Sequence, residues 1–263
     1  MDFSVIVPMY NNEKTIVDAL DSVRRQTKPE LIREIIVVDD GSNDRSAELV
    51  RDFQTRCPQI PIRLVIQENR GPSAARNAGM QLAGADWIAF LDADDEWLPR
   101  KLARQAEVLA ENPQIDLLGA GADERPLRLL FKKVDKLYKA SLRDLTVKSF
   151  PVTPSIVMRR RIFEEIGGFD ESRRYMEDAQ YLLKISKSYG FYYLPEHLVE
   201  IGLKKRACGN SGLSGNLKAM QEGYVENLRE LRRDGVVSLS YYLILRVFYA
   251  LKYLRRIVIS KYV

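Results

Sequence analysis

The chain has 263 residues, 46% apolar and 29% charged, which suits one large globular domain with a short appendage and a sizeable core. Its net charge of +5 fits an anionic partner, whether nucleotide, membrane surface or nucleic acid, without choosing among them. The two cysteines, Cys57 and Cys208, lie far apart and in no metal spacing, which argues against a disulfide framework and suits a reducing cytoplasm.

Phe3 to Pro8 is a short β-branched run of the type buried on both faces of a parallel sheet. Ile16, Val17, Leu20 and Val23 then recur at helical spacing, predicting a helix to about Gln26, with Pro29 just beyond it. A second strand, Ile35 to Val38, ends in Asp39-Asp40-Gly41-Ser42, and a polar helix follows to about Arg56. Ile62 to Ile66 is a third strand, Gly71-Pro72-Ser73 opens a helix to about Ala83, and Trp87 to Leu91 is a fourth strand ending in Asp92. Pro99 starts a helix to about Ala110. Strands alternating with helices over short links mean βαβ units, and right-handed crossovers turn these into a doubly wound, mostly parallel α/β sheet with helices on both faces.

The order is less clear from Gly119 to Pro154, a basic stretch with Lys132, Lys133, Lys136 and Lys139 that predicts one helix. Ser155 to Met158 reads as a strand, Glu177 to Ser188 as a helix with Ala179, Leu182, Leu183 and Ile185 inward, and Phe191 to Leu194 as a strand. Neither an internal repeat nor a low-complexity linker is present. The N-terminus lacks the basic and apolar regions of a signal peptide, and no run approaches the ~18 apolar residues of a spanning helix.

Ligands of a doubly wound sheet sit at the carboxyl ends of the strands. Here those ends carry Pro8-Met9-Tyr10-Asn11, Asp39-Asp40 and Asp92-Ala93-Asp94-Asp95, so the expected rim is acidic although the protein is basic. Clustered carboxylates resist ionising together. A hard divalent cation relieves that repulsion, binding one or two carboxylates and leaving its other positions to phosphate oxygens. The chain has neither a G-x-G-x-x-G after the first strand nor a G-x-x-x-x-G-K-[ST] loop, so a metal is expected to handle phosphate instead. An acidic rim without a recognition motif also speaks against a nucleic-acid partner.

Several segments, in order, resemble the family 2 glycosyltransferases. They are Val5-Ile6-Val7-Pro8-Met9-Tyr10-Asn11, Ile36-Val37-Val38-Asp39-Asp40-Gly41-Ser42, Asn69-Arg70-Gly71-Pro72-Ser73-Ala74-Ala75-Arg76-Asn77, Phe90-Leu91-Asp92-Ala93-Asp94-Asp95, Ile166-Gly167-Gly168-Phe169-Asp170 and Glu177-Asp178. The resemblance implies a GT-A fold over residues 1–215, with a nucleotide-sugar half to about 118 and an acceptor half to about 215, and a helical tail over 216–263. It implies donor contacts from Pro8, Tyr10, Asp40, Arg70 and Asp92, a Mn²⁺ or Mg²⁺ ion on Asp94 with Asp92, and Asp178 as catalytic base. The reaction implied is inverting transfer of a sugar, with a UDP-sugar favoured as donor. Arg76 is read either as a donor contact or as a structural ion pair.

Many relatives place a metal-binding histidine near the C-terminus, whereas the sole histidine here, His197, falls too early and reads as structural. In its place stand Lys204-Lys205-Arg206 and a glycine-rich segment to Gly215, read as a loop whose Lys205 and Arg206 close over the diphosphate or as a solvated linker. Some bacterial members that build surface polysaccharides carry a similar Ser-Gly-Leu-Ser segment, and a lipid-linked saccharide acceptor would explain the tail that follows. The tail from Val236 to Val263 combines apolar bulk, tyrosines and Arg/Lys. It is expected at the inner face of the plasma membrane, the alternative being a helix packed on protein. Two other functions remain as rivals. A nucleotidylyltransferase would carry a glycine-rich basic loop near the N-terminus, and a scaffold that kept the fold without catalysis would tend to lose Asp94 or Asp178.

Overall fold

In the computed structural model, which describes residues 1–130, 132–202 and 215–262, the predicted alternation is realised. β1 (Phe3–Met9), α1 (Ile16–Arg24), β2 (Ile32–Asp39), α2 (Ser46–Arg56), β3 (Ile62–Ile66), α3 (Pro72–Leu82) and β4 (Trp87–Phe90) form the first half. There follow β5 (Glu96–Trp97), α4 (Lys101–Glu111), β6 (Leu117–Gly121), three two-residue strands β7 (Arg128–Leu129), β8 (Lys132–Lys133) and β9 (Tyr138–Lys139), and α5 (Leu142–Val147). Then come β10 (Val157–Arg159), α6 (Arg160–Ile166), α7 (Glu177–Ser186), β11 (Phe191–His197), β12 (Val199–Glu200), α8 (Leu217–Arg233) and α9 (Leu239–Tyr262).

Eight strands make one sheet in the order β3-β2-β1-β4-β10-β6-β11-β9. The pairs β2/β3, β1/β2, β1/β4 and β6/β11 are parallel. β10 runs antiparallel to both β4 and β6, so β4 and β6 point the same way. The strand expected over Ser155–Met158 starts later, because Thr153–Ser155 forms a single 3₁₀ turn. The stretch 119–154 holds its one helix, α5, together with the end of β6 and the small strands β7 to β9.

Period-two alternation splits β1 between two cores. Phe3, Val5 and Val7 meet Ile16 and Leu20 of α1, Phe53 of α2 and Leu102 of α4. Ile6, with Ile36 and Val38 of β2, meets Met80 of α3, Ile162 of α6, Tyr181 of α7 and Leu231 of α8. The parallel strands therefore read as unbroken apolar runs because both faces are covered. Lys101 is wholly buried in the first layer, its amine 2.9 Å from Gln105 Oε1 and 4.0 Å from the centre of the Trp97 ring. Burial pushes that amine well below its usual range.

Candidate active site

Because β1, β2 and β4 are parallel, their carboxyl ends open on one edge, and there a cleft of about 680 Å³ lies between the N-terminus of α3 and that of α7. Pro8, Tyr10, Asp40, Arg70, Asp92 and Asp94 all line it. Tyr10 is 45% exposed, an aromatic face offered to the opening.

The loops at this edge are clipped together by short polar side chains. Asn11, left-handed at φ 54°, donates its N–H to Ser42 Oγ (2.9 Å), while its own side-chain oxygen accepts from the Asn43 N–H (2.8 Å). Asp40 is buried and accepts three hydrogen bonds, from the Gln67 amide (2.7 Å), the Arg70 N–H (2.9 Å) and the Gly71 N–H (2.7 Å). Its carboxylate thus shapes the loop that leads into α3 as well as facing the cleft. Arg70 leaves this loop and meets Glu171 at 2.5 Å, so the sequence-predicted donor contact also bridges to the opposite wall.

Arg76 is the centre of charge. Carried inward by the second turn of α3, it is 7% exposed, donates to Asp92 Oδ1 at 2.7 Å, and lies 3.6 Å from Glu177 Oε1. Its guanidinium carbon stands 5.4 Å from the centre of the Phe169 ring. Its Nε and Nη1 are buried with no hydrogen-bond partner among the described residues. The desolvated guanidinium pulls the Glu177 carboxyl toward its ionised form. The neighbouring Asn77 ties α3 to the far wall, accepting from the Phe169 N–H (2.8 Å) and donating to the Phe169 carbonyl (2.9 Å) and to Glu171 (2.9 Å).

The acidic pair at the start of α7 is divided. Glu177 lines the cleft, whereas Asp178 lines a small apolar void with Phe90, Phe169 and Tyr181 and accepts from the Ala179 N–H at 2.7 Å. Burial, reinforced by the Asp178 charge, pushes the Glu177 carboxyl up to about 7 against the pull of Arg76. Asp178 is raised as well, again chiefly by burial. The residue before them, Met176, is left-handed at φ 60°, a conformation that costs a non-glycine residue roughly 1–2 kcal/mol. α8 holds it there. Asn227 donates to the Met176 carbonyl (3.2 Å), and a Cβ on Gly223 would stand 2.9 Å from Met176 Cγ. Arg173 bonds both Asn227 and Glu230 of the same helix.

Sequence reasoning located the strand-end residues but left Arg76 open and missed Asn77, Glu171, Arg173 and the contribution of α8. Asn77 stood inside a quoted motif, yet only the fold brings it to Phe169. Lys205 and Arg206 lie outside the described residues. Among the described residues no group of three or more Asp, Glu, His or Cys converges as a metal site, so Asp92 and Asp94 stand as a pair.

The family model described as Glycosyl transferase family 2 matches residues 4–167. An uncharacterized glycosyltransferase of Haemophilus influenzae is 28% identical over 239 residues, covering 87% of this chain and 79% of that protein. The uncharacterized glycosyltransferase EpsJ of Bacillus subtilis is 36% identical over 195 residues, and the match spans 68% of this chain but only 54% of EpsJ. Among solved structures, S. aureus TarS 1-349 in complex with UDP-GlcNAc superposes with a TM-score of 0.74 at 21% identity, over 95% of this chain and 72% of that one. The mannosyltransferase PcManGT from Pyrobaculum calidifontis, in complex with GDP-Man and Mn²⁺, superposes with a TM-score of 0.71 at 24% identity, over 92% of this chain and 67% of that one. At those identities the two structures speak for the fold.

Proposed function

The chain belongs to glycosyl transferase family 2, and from that premise we propose that its cleft binds a nucleotide sugar, a UDP-sugar foremost, and passes the sugar to an acceptor hydroxyl with inversion at the anomeric carbon. The observation that carries this reading is the convergence of four parallel strand ends, those of β1 to β4, which puts Tyr10, Asp40, Arg70, Asp92 and Asp94 on one cleft. Tyr10 and Pro8 suit a nucleobase, and Arg70 suits the diphosphate. The structures that resemble the fold hold UDP-GlcNAc and GDP-Man.

The residues fit a divalent cation. Asp94 and Asp92 offer the hard oxygen ligands that Mg²⁺ or Mn²⁺ prefers, and Arg76 engages only Oδ1 of Asp92. Such an ion, when bound, neutralises charge on the departing nucleoside diphosphate. The chain itself supplies orientation and a base. Asp178 accepts the acceptor's hydroxyl proton while the acceptor oxygen bonds to the anomeric carbon, and the bond to the diphosphate breaks on the opposite face. A second reading gives that role to Glu177, because Glu177 is the member of the pair that lines the cleft.

The acceptor we propose is a lipid-linked saccharide of bacterial surface polysaccharide synthesis, reached at the inner face of the plasma membrane. No helix of the described residues is long and apolar enough to cross a membrane. α9 suits lying on one. Leu243, Ile244, Val247, Leu251, Leu254 and Val258 share one side of it and are 54–63% exposed, and the helix contains no acidic residue. Its opposite side packs Leu245 and Tyr249 against α8.

The experiment is donor binding and slow donor hydrolysis by the full chain against a panel of nucleotide sugars, with Mn²⁺, Mg²⁺ or EDTA, in wild type, Asp178→Asn and Glu177→Gln. Metal-dependent binding of one donor, kept in Asp178→Asn while turnover collapses, supports the reading. Collapse in Glu177→Gln alone moves the base to Glu177. A folded protein that binds no donor sinks the transferase reading in favour of a scaffold.

A further inference from the structure

A second concavity, of about 590 Å³, opens on the same edge of the sheet. β6 points the same way as β4, so its end delivers Ala120, Ala122 and Asp123 to the edge that carries Asp92 and Asp94, two strands further along. The volume lies within the range of small-molecule sites. Its floor is apolar and rigid. Pro151 sits on Gly119 so closely that a Cβ there would be 2.0 Å from the proline ring, and Phe150 meets Tyr193 edge-on at 5.5 Å.

Its walls are charged, and unequally. Arg125, Arg128 and Lys148 line it against the single carboxylate of Asp123. Asp123 is matched by Arg125, at 2.7 and 3.0 Å. The two remaining cations form no ion pair among the described residues, although the Asp123 charge still reaches Lys148. Lys148 donates only to the Arg128 carbonyl, at 3.4 Å. Two cations left unmatched beside an aromatic floor form a site for an anion that carries an apolar or saccharide face.

The cleft also adjoins the outward-facing tail helix. Tyr249 of α9 donates its hydroxyl to the Thr146 carbonyl at 2.9 Å, two residues before Lys148. Burial, then the charges of Arg256 and Lys148, lower the proton affinity of Lys252, one turn along α9, which places it within electrostatic reach of Lys148. An occupant of the cleft would therefore lie between the donor site and the helix that presents its leucines outward.

We propose that this second cleft receives the acceptor, and that the acceptor is a saccharide bearing phosphate, its anionic group held by Arg128 and Lys148 and its sugar resting against the Phe150–Tyr193 floor. The proposal rests on the transferase reading for the word acceptor, while anion binding at this cleft is independent of it. Charge-assisted contacts from a bidentate guanidinium and an ammonium suit phosphate better than a neutral sugar.

The test uses the isotope-labelled full chain without divalent cations, titrated with glucose 1-phosphate, inorganic phosphate or methyl glucoside while backbone amide shifts are followed. Glucose 1-phosphate is expected to shift residues 122–128 and 148–152 saturably. Inorganic phosphate should bind the same residues at least fivefold more weakly, and methyl glucoside should not bind. The Arg128→Gln/Lys148→Met pair should lose at least tenfold in affinity for glucose 1-phosphate while nucleotide-sugar binding at the first cleft, measured separately with Mn²⁺ present, is kept. Shifts confined to the first cleft, or unchanged affinity in the double variant, overturn the proposal. Equal binding of inorganic phosphate and glucose 1-phosphate would mean a bare anion site and overturn the saccharide assignment. Absence of nucleotide-sugar binding in wild type even with Mn²⁺ supplied, with this cleft still taking glucose 1-phosphate, would instead sink the transferase reading alone.

Discussion

Replacing Arg76 by Met keeps the stem of the side chain against Phe169 and removes the charge between two carboxylates. Asp92 Oδ1 loses its 2.7 Å partner and Glu177 its 3.6 Å neighbour, in a setting where the arginine is 7% exposed. Removing one partner of a buried ion pair costs about 3–5 kcal/mol, because the other charge is left without compensation. At about 2–4 °C per kcal/mol for a chain of this size, melting should fall by roughly 6–20 °C at pH 8. The loss should shrink at pH 5. Arg76 holds the Glu177 carboxyl down, so without it that carboxyl keeps a proton to higher pH, and the strain of the unpaired charge disappears as the proton is taken up. Melting of the purified variant, followed by circular dichroism from pH 5 to 8 in EDTA, measures both effects. A drop of under 2 °C that is the same at both pH values would refute the reasoning and leave Arg76 a bystander.

Glu177→Gln tests the raised carboxyl directly. A group whose folded pKa is about 7 against an ordinary 4.5 stabilises fully below pH 4.5 and loses that stabilisation as pH rises through 7. Wild type should therefore lose roughly 2–3 kcal/mol relative to the glutamine variant between pH 4.5 and 8, read by urea denaturation in EDTA; parallel curves would contradict it. Gly168→Ala puts a Cβ 2.0 Å from Asn77 Oδ1 and should break the clip to Phe169, costing about 2–4 kcal/mol and weakening donor binding. A melting point equal to wild type would show that the loop yields freely. Replacing Leu243, Val247 and Leu251 together by Ser should leave the melting point within about 2 °C, since these side chains are exposed. Partition onto vesicles with anionic lipid should fall roughly 30- to 150-fold, about 2–3 kcal/mol of insertion, and undiminished sedimentation would remove α9 from the membrane.

The first four strands and the helices between them were legible because each strand is an apolar run covered on both faces and each helix keeps its 3.6-residue stripe. The direction of β10 was not, since three residues of pattern are the same read either way. Nor could the pattern of the tail be resolved into faces. Two of its cations turn inward: Arg246 lies over Tyr242, and Lys252 lies over Tyr224, Phe248 and Tyr249, so part of the charge packs on aromatic rings while the leucines point out. A helix whose apolar side faces away from its own core reverses the rule by which periodicity is read. At the candidate site, the strand-end residues followed from topology alone. The roles of Asn77 and Arg173 did not, because each acts through a partner about 50 to 90 positions away.

The close seat of Gly223 beneath Met176 sets a rule for recombining this chain with its relatives. Similarity to the family model ends at residue 167, which invites a crossover just beyond it. Yet the left-handed residue that presents Glu177 and Asp178 is held by a helix that begins fifty positions beyond the family match. A hybrid that joins these residues to a foreign C-terminal segment inherits the acidic pair without its support, and a bulkier residue at the contact would push Met176 out of its turn. The two stretches can be exchanged only together, as halves of one inheritable unit.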